Sequence, residues 1–86
     1  MPKRVSGLTA RKVETIKVPG RYADGGGLYL QVAASGAKSW ILRYTFASRR
    51  RDVGLGSVSI FGLADARARA LEQRKLVAAG KIPHRS

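Results

Sequence analysis

The sequence predicts a small α+β domain, in which a three-stranded antiparallel sheet packs on one C-terminal α-helix and a short helix precedes the sheet. Between residues 24 and 55, two stretches alternate apolar and polar residues with period two, which is typical of strands that bury one face. Breaks that contain Gly or Ser separate these stretches, and an alanine-rich segment with helical spacing follows them. A chain of 86 residues is long enough for one such domain with a modest core.

The first predicted element is a short helix from Ala10 to Ile16. Thr9 can cap the amides of its first turn, and Leu8 and Val13 have the spacing of a hydrophobic staple. A Pro-Gly pair ends this helix, and residues 21–23 leave room for a brief extra edge strand before a turn at residue 24.

The alternation assigns the two faces of the predicted sheet. One face takes the apolar residues of the first two strands and forms the core: Leu28, Leu30, Val32, Trp40, Leu42, Tyr44 and Phe46. The opposite face, which we call the outer face, takes Tyr29, Gln31, Ser39, Ile41, Arg43 and Thr45. The outer face is too polar to be core, and its cation, aromatic ring and hydrogen-bonding groups suit a surface that contacts a partner.

Three consecutive arginines, Arg49, Arg50 and Arg51, follow the second strand at the predicted hairpin. Because successive side chains of a strand alternate between faces, at least one of the three projects outward in any register. The sequence does not decide which one. Val53 and Leu55 then return to the core face.

The last predicted element is a long helix from Leu63 to about Ala79. Gly62 is an acceptable N-cap, Asp65 in the first turn favours the positive end of the helix dipole, and Gly80 suits the left-handed position after the last turn. The apolar stripe of this helix consists of Leu63, Ala66, Ala70 and Val77. Within or beside the stripe, we interpret Arg67 and Arg74 as structural, with Asp24 as a candidate partner for Arg67.

The chain carries 17 Lys and Arg against 5 Asp and Glu, a formal net charge of +12. Such a field attracts polyanions, and nucleic acid is the commonest intracellular partner for this charge pattern. The plainer alternatives are a solvated basic surface, or a piece of a larger protein that balances the charge. An anionic membrane is a poorer partner because the long helix lacks a bulky apolar face.

The sequence predicts neither an enzyme active site nor a metal or cofactor site. It contains no cysteine, the lone His84 has no companion ligand, and no Ser/His/Asp or Cys/His set can be assembled. Gly25–Gly27 predict a tight turn with positive φ angles, because an apolar strand follows them instead of the Lys-Ser/Thr and helix of a phosphate-binding loop. With no signal peptide and no apolar run of ~20 residues, we expect a soluble, cytoplasmic protein and no membrane partner.

Six motifs occur in order along the chain: L-T-A-R-K-V, D-G-G-G-L-Y-L-Q-V, S-G-A-K-S-W-I-L-R-Y-T-F, V-G-L-G-S, L-A-D-A-R-A-R-A and a Gly-x-x-Pro ending. Over residues 8–83 they resemble the N-terminal arm-type DNA-binding domain of prophage and genomic-island tyrosine recombinases, the P4-like integrases. The sequence departs from that family at the hairpin tip, where Ala47-Ser48-Arg49 replaces an Asn-Gly-like turn. It also has Gly62 in place of Ser or Thr before the long helix, and Gly80-Lys81-Ile82-Pro83 in place of Gly-x-Asp-Pro.

The resemblance implies a DNA-binding domain at residues 8–80, after a flexible basic lead at residues 1–7 and before a linker that starts at residues 81–86. Such a domain places its three-stranded sheet in the major groove of arm-type sites. In the family, other domains bind the core site, and a C-terminal catalytic domain carries the nucleophilic tyrosine. Nothing in this sequence corresponds to that catalytic domain, so we expect a fragment or truncated product that binds DNA without cleaving it. The implied partners are double-stranded DNA, the core-binding and catalytic domains of the same integrase, and other integrase subunits.

The outer face and the resemblance together predict the DNA contacts. Arg43, Gln31 and Thr45 are candidates for base edges, since in the major groove Arg pairs with guanine, Gln pairs with adenine and Thr meets the thymine methyl. Tyr29 is a candidate for a base edge, a sugar or a phosphate. The candidates for phosphate contacts are Lys38, Arg49, Arg50 and Arg51.

Two other functions remain open from the sequence. Single-stranded or structured RNA needs exposed aromatic platforms, and Tyr29 is the one clear candidate because the other aromatic residues of the strands fall on the core face. A basic protein-interaction module would use Ile41, an apolar residue on the outer face that a partner could cover.

Overall fold

The computed structural model of the protein describes residues 7–80. Two helices and four strands follow one another as α1 (Ala10–Thr15), β1 (Gly20–Gly25), β2 (Leu28–Val32), β3 (Lys38–Phe46), β4 (Arg49–Ser57) and α2 (Leu63–Ala78). The strands form one antiparallel sheet in the order β1-β2-β3-β4. The predicted basic lead, apart from Gly7, and the predicted linker at residues 81–86 lie outside the described residues.

The α+β class is confirmed, but the sheet has four strands instead of the predicted three. The additional strand is β1, which pairs with β2 from Gly20 opposite Val32 to Ala23 opposite Tyr29. It lies at an edge of the sheet, and of its residues Tyr22 packs against the hydrophobic core. An edge strand that buries so little has almost no period-two apolar pattern, so the main signal for a strand is missing from its sequence.

The core lies between the sheet and α2. Leu28, Leu30, Trp40 and Leu42 are its largest fully buried side chains, and Ala66 and Ala70 of α2 are buried against them. The Trp40 indole N–H donates to the carbonyl of Phe61 over 2.8 Å, so its polar group is satisfied inside the core. The predicted core face is therefore confirmed for most of its length, while Tyr44 and Phe46, nearer the hairpin tip, are half-buried.

Helix α1 begins as predicted and ends one residue earlier. The Thr9 hydroxyl accepts the amide of Lys12 over 3.1 Å, while Leu8 and Val13 are both buried, as expected for a hydrophobic staple. Ile16 is the C-cap, with an extended backbone. In the part of the chain that the structure describes, neither helix is long and apolar enough to cross a membrane.

Helix α2 is tied through Arg67 to β1 and to the segment that precedes α1. Its guanidinium donates to both carboxylate oxygens of Asp24, each over 2.9 Å, and to the carbonyl of Leu8 over 3.0 Å. The Leu8 amide also donates to Asp24 over 2.8 Å. Burial opposes ionisation of Asp24, but the hydrogen bonds from Arg67 and Leu8 and the charge of Arg67 outweigh it and lower the pKa of this carboxyl. The predicted structural role of Arg67 is thus confirmed.

The caps of α2 agree with the sequence as well. Gly62 is the N-cap, and the Asp65 carboxylate accepts its amide over 3.3 Å. Gly80 has a φ of +85°, the left-handed conformation expected after the last turn.

The three glycines after Asp24 form the predicted tight turn, with φ angles of +111°, +64° and +90°. Gly27 also lies directly against β3, where its carbonyl accepts the Arg43 amide over 2.7 Å. A Cβ atom at Gly27 would collide with the carbonyl oxygen of Arg43. This turn therefore holds the backbone of β3 in place behind the outer face.

Candidate nucleic-acid interface

The strand register gathers the predicted base-reading residues on one face of the sheet. Residues that pair across adjacent strands point to the same face, so each pair extends the outer face by one step. On that face, Tyr29 pairs with Ile41, Gln31 with Ser39, Arg43 with Asp52, and Thr45 with Arg50. Tyr29, Gln31, Arg43 and Thr45 therefore share one surface, opposite the face on which α2 packs.

The register also assigns the three consecutive arginines. Arg50 pairs with Thr45 and lies on the outer face. Arg49 and Arg51 pair with Phe46 and Tyr44, so both lie on the other side of the sheet. Of the three, Arg50 alone extends the surface that carries Arg43.

A two-residue loop sets this register, because Phe46 and Arg49 pair directly and leave only Ala47 and Ser48 between the strands. Both loop residues have positive φ angles, +54° and +67°, as in a type I′ turn. That turn usually carries Asn-Gly, since most side chains destabilise the left-handed conformation. The departure at the hairpin tip therefore changes the residues but keeps the tight loop.

Arg43 is held by two neighbours on the outer face. Its Nε donates to one carboxylate oxygen of Asp52 over 3.0 Å, and its guanidinium carbon lies 5.3 Å from the centre of the Tyr29 ring. The hydrogen bond to Asp52, together with the charge of that carboxylate, raises the pKa of Arg43 above its usual value. Arg43 is thus a permanent cation, and within the described residues neither of its terminal amino groups has a hydrogen-bond partner.

Asp52 and Arg21 belong to the same cluster, although neither is among the site residues predicted from the sequence. Arg21 donates through Nη1 to the second oxygen of Asp52 over 3.0 Å and through Nε to the side-chain oxygen of Gln31 over 2.9 Å. The hydrogen bond from Arg43, reinforced by that from Arg21 and opposed by partial burial, lowers the pKa of Asp52. We call Arg21, Tyr29, Gln31, Arg43 and Asp52 the outer-face cluster.

A sequence signal for the outer-face position of Arg21 did exist. Once β1 is recognised as a strand, Arg21 alternates with the inward-facing Tyr22 and must point outward. The contact with Asp52 had no comparable signal, because the two residues are 31 positions apart in the chain.

Lys38 has a structural task at the start of β3. Its ammonium group donates to the carbonyls of Val13 over 2.6 Å and Glu14 over 3.1 Å, so it joins the C-terminal end of α1 to the sheet. An ammonium group has three donors, which leaves one for a further partner. The predicted phosphate contact of Lys38 stays a prediction.

The charge on the outer face is strongly one-sided. Over the stretch that the structure describes, the outer face carries three arginines and one carboxylate. The arginines are Arg21, Arg43 and Arg50, and the carboxylate is that of Asp52. Among residues 7–80, no three His, Cys, Asp or Glu side chains lie close enough together to hold a metal ion. The geometry consists of hydrogen-bond donors and cations on a sheet surface, which matches the requirements of nucleic-acid binding.

The profile of a protein family described as the arm DNA-binding domain matches residues 8–86. The chain belongs to the arm DNA-binding domain family. This membership, with the resemblance to integrases described above, supports DNA binding in site-specific recombination.

Individual relatives agree with this assignment. The chain is 41% identical over 81 residues to the integrase of Enterobacteria phage P4, an alignment that covers 88% of this chain and 18% of the phage protein. It is 37% identical over 79 residues to the integrase of Shigella phage Sf6 and to the prophage integrase IntS of Escherichia coli K12, and covers 20% of each. The chain thus spans about a fifth of the length of the curated relatives it matches.

Proposed function

We propose that this domain binds arm-type sites in double-stranded DNA by inserting the outer face of its sheet into the major groove. It would act as the accessory domain of a phage or prophage tyrosine recombinase, while the core-binding and catalytic domains of that integrase carry out recombination. The observation that carries the proposal is the placement of Tyr29, Gln31, Arg43 and Thr45 on one face of the sheet. The cytoplasm, at the bacterial nucleoid, is the compartment that this function requires.

The groove and the side chains are matched in size and chemistry. The major groove is ~12 Å wide and admits a β-ribbon, and each base pair presents a distinct set of donors and acceptors there. Both terminal amino groups of Arg43 are free of Asp52 and can donate to O6 and N7 of one guanine. Gln31 and Thr45 would contact neighbouring bases, and Tyr29 would contact a base edge or the backbone.

The remaining candidates would contact phosphates and position the domain. Arg50 is exposed beside Thr45 and would contact the DNA backbone from the outer face. Arg49 and Arg51, on the opposite side of the same hairpin, would contact the phosphates that border the groove. Lys38 would contribute through its one remaining donor. Phosphate contacts set register and affinity without reading sequence.

The aromatic residues favour duplex DNA over single-stranded RNA. Unpaired bases are bound by exposed aromatic rings, but Trp40 is fully buried, and Tyr44 and Phe46 lie on the core side of the sheet. Tyr29 is the aromatic ring of the outer face, and it packs against Arg43.

Fluorescence-anisotropy titrations of Arg43→Ala test the proposal. The duplexes are direct repeats from the ends of the parent element and a scrambled sequence, measured over a series of salt concentrations. We expect Arg43→Ala to lower the preference for the repeats by about tenfold, the value of one good bidentate base contact. For the unmodified domain, neutralising about five phosphates gives a slope of log K against log salt near −4.5.

Lys75→Ala is the matched control, since it also removes one positive charge but lies on α2, where its side chain is 65% exposed. Lys75→Ala should weaken binding to both duplexes slightly and equally. Equal binding of the unmodified domain to repeats and scrambled duplex would refute sequence recognition. Preferential binding of single-stranded RNA in competition would refute the choice of duplex DNA, and self-association without DNA would favour a protein-interaction module.

A further inference from the structure

We propose that Asp52 is a specificity-determining residue, which holds Arg43 and Arg21 ready for base edges and makes them poor ligands for DNA phosphates. The inference rests on the proposed function and concerns the same face of the sheet. It assigns a role in DNA recognition to an acidic residue, on a surface where attraction to DNA would by itself favour only cations.

Asp52 divides its two carboxylate oxygens between two arginines of the outer-face cluster. Each carboxylate oxygen of Asp52 accepts from a different arginine, and both distances are 3.0 Å. Arg43 uses only Nε, so its two terminal amino groups remain for O6 and N7 of a guanine. Arg43 can therefore bind a base edge without leaving Asp52.

Arg21 reaches Asp52 from the far edge of the sheet. Arg21 and Asp52 stand on the two edge strands, and the pairing register continues from Arg21 through Gln31 and Ser39 to Ser57. The ion pair to Asp52 therefore crosses β2 and β3 diagonally, as the twist of a sheet allows. A third contact, from Arg21 Nε to Gln31, fixes the same side chain over the middle of the face.

A phosphate and a base edge differ in the charge that they bring near Asp52. A phosphate that approaches the free end of Arg43 would lie roughly 6 Å from the Asp52 carboxylate, and repulsion at that distance in water weakens binding about threefold. A guanine edge carries no net charge and meets only the weaker repulsion between a charge and a dipole. Asp52 holds two arginines, so the threefold weakening applies to two phosphate contacts and in total lowers phosphate binding about tenfold.

The stability of the domain does not explain this cluster. The side chains of Arg21 and Asp52 are 36% exposed and that of Arg43 is 32% exposed. Ion pairs with this exposure contribute little to folding. Asp52→Asn is therefore expected to fold with an almost unchanged melting temperature, which separates an effect on recognition from an effect on structure.

The test compares Asp52→Asn with Glu72→Gln, which adds the same unit of charge on α2, where the Glu72 side chain is 72% exposed. Each protein is used to select binding sites from a pool of randomised duplexes, and anisotropy then gives affinities for the selected and the scrambled duplex at about 0.1 M salt.

We expect Asp52→Asn to bind the scrambled duplex three- to tenfold more tightly and to lose the same factor of preference for the selected sequence. Its salt slope on scrambled DNA should steepen by about 0.9 for each arginine that moves to a phosphate. Glu72→Gln should leave both the preference and the slope unchanged.

The outcomes distinguish this inference from the proposed function. If the unmodified domain selects a sequence and Asp52→Asn keeps the same preference as Glu72→Gln, the role of Asp52 is refuted while the proposed function stands. If the unmodified domain selects no sequence, the proposed function fails, and the inference that rests on it fails too.

Discussion

The hairpin that carries the three consecutive arginines should gain stability when glycine replaces Ser48. Ser48 has a φ of +67°, in the left-handed region where an L-residue with a Cβ is disfavoured. The penalty is about 1–2 kcal/mol per residue, and glycine avoids it at the cost of greater freedom in the unfolded chain, worth about 0.5–1 kcal/mol. The net expectation for Ser48→Gly is a gain of about 0.5–1 kcal/mol in the free energy of unfolding.

A gain of this size is measurable in so small a domain. One kcal/mol shifts the melting temperature of a domain with 60–100 residues by about 4–8 °C. Trp40 is the chain's one tryptophan, fully buried and hydrogen-bonded to Phe61, so its fluorescence reports unfolding of the core. Urea titrations followed by this signal give the change in the free energy of unfolding directly.

Ser35→Gly is the matched control, because it makes the same substitution in the loop between β2 and β3. Ser35 does not have a positive φ angle, and its hydroxyl accepts the Ala37 amide over 3.4 Å. Glycine there adds unfolded-state freedom without relieving strain, so Ser35→Gly should be neutral or destabilising. If Ser48→Gly is no more stable than Ser35→Gly, the hairpin loop is not strained in the way that its φ angles indicate.

Two further predictions concern the turn at residues 24–27. Gly27→Ala should cost at least about 2 kcal/mol in urea titrations, because its Cβ would collide with the Arg43 carbonyl and its φ is +90°. Gly36 has a φ of +95° and no atom within 4 Å of an added Cβ, so Gly36→Ala should lose only the stability that the positive φ angle costs. If both variants lose the same free energy of unfolding, the collision at Gly27 is excluded. Asp24→Asn should cost about 1–3 kcal/mol at pH 7, because the buried carboxylate loses its charge-assisted bonds to Arg67. The folded-state pKa of Asp24 is lowered, so its contribution is present above the unfolded value near 3.9 and is lost as pH falls through the folded value. Asp24→Asn should therefore lose less stability than the unmodified domain as the pH falls. An unchanged acid-unfolding transition would contradict the stabilising role of the Asp24–Arg67 pair.

The period-two pattern was sufficient for β2 and for most of β3, because those strands bury one whole face. Leu28, Leu30, Trp40 and Leu42 alternate with residues of the outer face and are the largest fully buried side chains. The same reasoning placed Tyr29 and Arg43 on the outer face. The caps at Gly62 and Gly80 and the bounds of α2 followed from local rules that act within one turn of helix.

Local patterns indicated the fourth strand only as room for a brief edge strand at residues 21–23, and they could not supply the outer-face cluster. β1 lies at the edge of the sheet and buries little, so it has almost no apolar alternation to detect. Lys38 was predicted to face DNA, and only the packing of α1 against the start of β3 places two carbonyls within reach of its ammonium group. The phosphate contact of Lys38 stays a prediction.

The sequence by itself determined the fold class, the core face, the family and the outer-face positions of Tyr29 and Arg43, because each depends on burial patterns or motifs within short stretches. Only the tertiary structure decided that Arg50, and neither Arg49 nor Arg51, shares the outer face with Arg43. That choice depends on a two-residue loop with positive φ angles, and Ala47-Ser48 is not a sequence that predicts such a loop. The structure alone also brought Arg21 to Asp52 across two strands, since sheet twist and strand order join residues that no local pattern connects.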